Sequence, residues 1–259
     1  MSQQVGFASA WPVKFVEVDC ADGRRLEGFW HEPSADVSCQ MLLLHGKGGN
    51  CYSGVCRFLP PALTAIGVRT LALNMRCHDL GYTRCDVPFV DIEEGHSPVD
   101  GGMWEEPEIG RLDVQAGLNL LAGMGKQPVV VAGHSSGGFY AVTGSAGDTR
   151  VAGRILLSPL TSNRRPLSAW FGSQAALAAA FEDAQARVAR GRGYELMTLG
   201  SWYHAISASS LLARASEDDR VWEDSLRSSW SPVWMLWGTK ESGNLPWQAA
   251  AGRMPVPKP

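Results

Sequence analysis

The sequence has no long hydrophobic run, no basic leader and no excess of either charge. Its longest apolar stretches fall far short of the roughly 20 residues a membrane helix needs, so no membrane association is expected. The opening MSQQVGFASAWPVKFVEV lacks the basic start and apolar centre of a secretory signal, which makes a cytoplasmic location the default. Lysine and arginine number 23 against 26 acidic residues, a formal net charge of -3. That balance gives no basic face for nucleic acid or an anionic surface. The six cysteines, at 20, 39, 51, 56, 77 and 85, include no Cys-x-x-Cys pair. Without tight ligand spacing no metal site is expected, and in a cytoplasmic protein they read as free thiols. Repeats and low-complexity linkers are also missing. What remains is a 259-residue chain, 45% hydrophobic, long enough for one large domain with a substantial core.

The apolar runs that are present are short and alternate with helical patterns. This predicts an α/β fold, a mostly parallel sheet covered by helices on both faces. Strands are expected at residues 13–18 and 24–30, joined by Asp22-Gly23 as an antiparallel hairpin. Further strands are expected at 41–45, 68–74, 129–134, 155–158 and 233–238. Helices are expected at 54–66, 107–124, 136–145 and 175–190. The clearest is 107–124, with Pro107 at its start, Glu105, Glu106 and Glu108 suited to the positive helix end, and Ile109, Leu112, Ala116, Leu120 and Met124 as its apolar stripe. Two segments break the alternation. Residues 79–106 read as a long acidic loop, and 164–229 as a mostly helical insertion that suits a cap over a site.

The stretch VVVAGHSSGGFYAV, residues 129–142, is built to present one serine. Gly133-His134-Ser135-Ser136-Gly137 fits Gly-x-Ser-x-Gly between a strand and a helix. A sharp turn there pushes the Ser135 hydroxyl into the open, and the helix start offers backbone N–H groups to negative charge. A second loop, His45-Gly46-Lys47-Gly48-Gly49-Asn50, follows another buried strand. It has neither the Gly-Lys-Ser/Thr of a phosphate loop nor a full Gly-x-Gly-x-x-Gly. The N–H groups of Lys47 and Ser136 are the expected oxyanion donors, a pairing worth a few kcal/mol per donor in acyl transfer.

With HGKGGN, GHSSGG and the segment NMRCHD after the 68–74 strand, the chain resembles the α/β-hydrolase superfamily over about residues 11 to 250. The resemblance implies an α/β-hydrolase fold, a serine esterase-like reaction on a small acyl substrate, no cofactor, and an acid followed by a histidine. Glu241, in Val-Trp-Met-Leu-Trp-Gly-Thr-Lys-Glu, falls at the acid position and would orient that histidine. Here the chain departs from the pattern: residues 242–259 contain no histidine. The six histidines are His31, His45, His78, His96, His134 and His204. Of these His78, His96 and His204 are the alternatives for a displaced base, His31 is expected at the surface, and His45 and His134 are expected to pack beneath their loops. Trp170, Phe171, Trp202 and Tyr203 suggest an apolar substrate moiety. A strand at 233–237 without its neighbour would expose an apolar edge, suited to a homodimer or explained by a truncated hydrolase. The rival to an enzyme is a binding protein that keeps the fold without the chemistry.

Overall fold

A computed structural model describes residues 12–83, 99–198 and 205–238. Strands β1 (Lys14–Asp19) and β2 (Arg25–His31) form the expected antiparallel hairpin, turned at Gly23 with φ +80°. Strands β3 (Cys39–Leu44), β4 (Val68–Asn74), β7 (Val129–His134), β8 (Val151–Leu157) and β11 (Val233–Leu236) run parallel to one another. The seven-stranded order is β1-β2-β4-β3-β7-β8-β11, with β2 antiparallel to β4. At the β11 end Trp234 and Leu236 are about half exposed, while Val233 and Met235 pack on the core.

The central strands carry apolar residues toward both sheet faces because both faces are covered. In β3, Leu42 and Leu44 join one cluster, and Met41 and Leu43 join the other, as a period of two requires. The second face is covered by α1 (Gly54–Ala65), which runs through Pro60 and Pro61. The first is covered by α2 (Pro107–Met124), α3 (Ser136–Thr143) and α7 (Val221–Arg227).

Helix α2 has the expected ends, and Ala116 and Leu120 of the expected stripe pack on the core, but the buried face is rotated away from Ile109 and Met124. Gly110, Asp113, Val114, Gly117, Leu118 and Leu121 are buried, while Ile109 and Met124 are exposed. Close approach decides this. A Cβ on Gly110 would lie 2.9 Å from the Tyr140 ring, and one on Gly117 would lie 2.6 Å from Leu42. Asp113 goes in because Arg76 meets it, with its backbone N–H at 2.7 Å and its guanidinium at 2.7 Å.

Between β8 and β11 lie α4 (Leu167–Phe171), α5 (Gln174–Ala189), the short strands β9 (Leu196–Thr198) and β10 (Ala205–Ser207), α6 (Ala208–Ser216) and α7. Helices α4 to α6 share a separate apolar cluster of Leu167, Phe171, Leu177, Ala184, Ile206 and Leu211. Trp222 and Leu226 of α7 belong instead to the main core. The acidic segment is not wholly loop: β5 (Tyr82–Thr83) and β6 (Val99–Asp100) pair antiparallel within it. Among the described residues, no helix is long and apolar enough to cross a membrane.

Candidate active site

Strand β7 ends at His134 and α3 begins at Ser136, so Ser135 alone makes the turn. Its backbone has φ 54°, ψ −120°, a conformation that a non-glycine residue adopts only where its surroundings enforce it. The enforcement is visible. The Ser135 N–H donates to Leu157 O at 3.0 Å, and its carbonyl accepts from Gly138 and Leu160 at 3.0 and 2.8 Å. The glycines around it are required by contact. A Cβ on Gly133 would sit 2.2 Å from Gly137 O, and one on Gly137 would sit 2.3 Å from His45 O. The Ser135 turn and the HGKGGN loop are therefore pressed together, backbone against backbone.

The HGKGGN loop reaches the serine directly. A Cβ on Gly46 would lie 3.0 Å from the Ser135 Cβ. Lys47 follows at once, and among the described residues no acceptor takes the backbone N–H of Lys47 or of Ser136. His45 fixes the loop from below. Its Nε2 accepts the Met75 N–H at 3.0 Å, so the proton is on Nδ1, which donates to Gly46 O at 2.8 Å. Burial pushes the imidazole down to about 4, so it is neutral at pH 7.

The Lys47 side chain enters a buried charged cluster. Its ammonium is 3.9 Å from the Glu105 carboxylate and 5.6 Å from the centre of the Trp170 ring. Burial, reinforced by Arg214, pushes this amine down to about 7. Glu105 also takes an ion pair from Arg214 and the Tyr140 hydroxyl at 2.6 Å. Burial pushes the Glu105 carboxyl up, yet Arg214 and Lys47 together hold it below the usual range. Arg214 donates to Asn163 Oδ1 at 2.6 Å, and Asn163 donates to Glu217 at 2.8 Å.

The other sequence candidates fall as follows. Glu241, His96, His204, Trp202 and Tyr203 lie outside the described residues. His78 is half-buried, stacked on Tyr82 at 3.8 Å, with Nδ1 2.9 Å from Asp79, whose other oxygen accepts from Asn50. His31 is buried, not at the surface: it ends β2, and burial lowers its pKa. His134 is exposed beside Ser135 rather than packed beneath the loop. Phe171 lies inside the α4–α6 cluster, and Trp170 faces Lys47 and Arg214. Glu105, Tyr140, Asn163 and Arg214 were not singled out by sequence as site residues. Glu105 reads there as a helix-start charge, and its partner Arg214 is 109 residues away.

The model of the Alpha/beta hydrolase family matches residues 41–257. The chain belongs to this family. No curated protein sequence matches the chain. Solved structures that resemble this α/β hydrolase include DcsB in complex with its substrate analogue, 15% identical, TM-score 0.68, covering 94% of this chain and 87% of that one. GrgF from Penicillium sp. sh18 is 12% identical, TM-score 0.62, covering 93% and 96%. Est1E from Butyrivibrio proteoclasticus is 17% identical, TM-score 0.56, covering 92% and 82%. At these identities the likeness speaks for the fold alone. The α/β-hydrolase fold expected from the two glycine-rich motifs is thus found, with both motifs at the C-terminal ends of adjacent parallel strands.

Proposed function

We propose that this α/β hydrolase is a serine acyl hydrolase, acting on a carboxylic ester or related small acyl substrate. The observation that carries the reading is the strained Ser135 turn set against a loop whose Lys47 N–H, like that of Ser136, has no acceptor among the described residues. Ser135 Oγ would add to the carbonyl carbon as its proton leaves. The carbonyl oxygen would become an oxyanion held by the two N–H groups. Collapse would expel the alcohol and leave an acyl-serine, which water then hydrolyses. Glu241 is the acid of this reading, and the insertion at residues 164–229 its cap, with α7 of that insertion packed into the main core.

Residues 242–259 hold no histidine, and the second reading is a binding protein of the same fold without turnover. Incubation with a fluorophosphonate, followed by peptide mass mapping, separates the two. A covalent adduct on Ser135 supports the hydrolase. An unmodified serine in folded protein, alongside saturable small-ligand binding, supports the second.

Gly46 gives a finer test. A Cβ there meets Ser135 Cβ at 3.0 Å and His134 Nδ1 at 3.2 Å, so the loop must yield by a few tenths of an ångström. Small misplacements of catalytic groups are amplified in rate. Gly46→Ala is expected to slow Ser135 labelling by roughly tenfold while the protein still unfolds cooperatively. Labelling at the wild-type rate would remove Lys47 N–H from the oxyanion site.

A further inference from the structure

We infer that Glu105 is a positioning residue, one carboxylate that sets the oxyanion loop, the nucleophile helix and the helical cap relative to one another. This rests on the acyl-hydrolase reading for its catalytic consequence, though not for its geometry. Glu105 is 2% exposed, and everything it touches comes from a different part of the fold. Oε2 meets Arg214 of α6 and lies 3.9 Å from the ammonium of Lys47 in the oxyanion loop. Oε1 accepts the hydroxyl of Tyr140, on the helix that begins just after Ser135. Its backbone carbonyl accepts from the Ser210 hydroxyl, also on α6.

The turn leading to Glu105 joins two of the same three parts, the loop and the cap. Gly102 N–H donates to Asp79 O at 2.9 Å, and a Cβ on Gly102 would fall 3.1 Å from Gly48 N and 3.2 Å from Lys47 Cγ. Met103 O accepts from Ser207 N–H, and the Trp104 indole donates to Tyr194 O. Residues 101–105 thus lie between loop and cap, and Glu105 is their charged end.

Energetics argue against a purely stabilising role. An arginine, a lysine and a carboxylate are withdrawn from water here, and among the described residues Arg214 Nε and Lys47 Nζ have no hydrogen-bond partner. Buried ion clusters of this kind are often no more stable than an apolar replacement, and their better attested use is to fix one arrangement among several. The arrangement fixed here includes the Lys47 backbone, because its side chain is tethered at Glu105 and beneath Trp170.

The test compares wild type, Glu105→Gln, Glu105→Asp and Tyr140→Phe by hydrogen exchange and by fluorophosphonate labelling of Ser135. In folded Glu105→Gln, exchange is expected to rise at least tenfold in peptides covering residues 45–50 and 208–214, with β1–β2 unchanged. Labelling should fall about tenfold, and Glu105→Asp should recover part of both. Tyr140→Phe, which keeps the ion pairs, is the variant to read if Glu105→Gln does not fold. It should loosen residues 45–50 to a smaller extent. Unchanged exchange at 45–50 in every folded variant overturns the proposal. If wild-type Ser135 is not labelled at all, the acyl-hydrolase reading fails, while the exchange pattern still decides whether Glu105 sets the loop.

Discussion

Ser135→Ala is expected to abolish covalent capture by a fluorophosphonate completely, and free imidazole is expected to speed capture of the wild-type protein by at least tenfold. The two expectations belong together. The alanine removes the hydroxyl at the strained turn, φ 54°, ψ −120°, and leaves the fold intact because the turn's backbone bonds to Leu157, Gly138 and Leu160 do not use it. Imidazole addresses proton removal. In well-studied triads, losing the nucleophile or the base costs about six orders of magnitude in kcat, leaving roughly 10³–10⁴ over water from the oxyanion donors and binding. If Ser135 is the nucleophile and none of the histidines at 31, 45, 78, 96, 134 and 204 serves it, capture starts from that residual level, where a diffusible base has room to act. Labelling rates at 0 and 100 mM imidazole, in wild type and Ser135→Ala, check both parts. Fast imidazole-independent labelling would mean that the chain carries its own base. Loss of that labelling in His78→Ala or His204→Ala would then name it. For His78 this would require its ring, now bonded to Asp79 and stacked on Tyr82, to serve from where it lies.

The sheet was legible because its parallel strands are short, largely apolar and separated by turn residues. Leu42 to Leu44 could only be a strand buried on both faces. The two glycine-rich motifs were legible for the same local reason, since Gly133, Gly137 and Gly46 are demanded by contacts that follow from the strand-to-helix turn. What depends on distant partners was not legible. The inward face of α2 is set by Gly110 and Gly117, which have no hydrophobic weight in a periodicity, and by Asp113, buried only because Arg76 meets it. His31 looked like a surface residue at a strand end, yet is buried. Glu105 carried a correct local signal, an acid ahead of a helix. Its burial against Arg214, Lys47 and Tyr140 arises from three separate segments folding onto it. Charged residues in sequence read as solvated because most are, and only the assembled fold shows which are not.

The stability of the protein should fall on acidification well before its carboxylates titrate, and His45 is the reason. In the folded chain burial pushes this imidazole down to about 4, against an ordinary value near 6.5 when unfolded. The unfolded state therefore takes up a proton that the native state refuses between those two values. Stability from this group is complete above about pH 6.5, declines as pH falls towards 4, and is flat below. At about 1.4 kcal/mol per pH unit, the loss across the window is about 3 kcal/mol. His31, lowered by burial, acts in the same direction. Glu106 and Glu217 act against it, because burial raises their carboxyl pKa values and the native state then gains protons first. The structural cost is specific. A protonated ring has no lone pair on Nε2 for the Met75 N–H, so the link between the residue after β4 and the HGKGGN loop is lost. His45→Asn, which cannot titrate, isolates the contribution. Urea unfolding at pH 7.5, 6.5, 5.5 and 5.0 should show a steeper fall for wild type than for His45→Asn. Parallel curves for the two proteins would mean that His45 titrates normally in the native state, and that the loop is not held by a neutral imidazole.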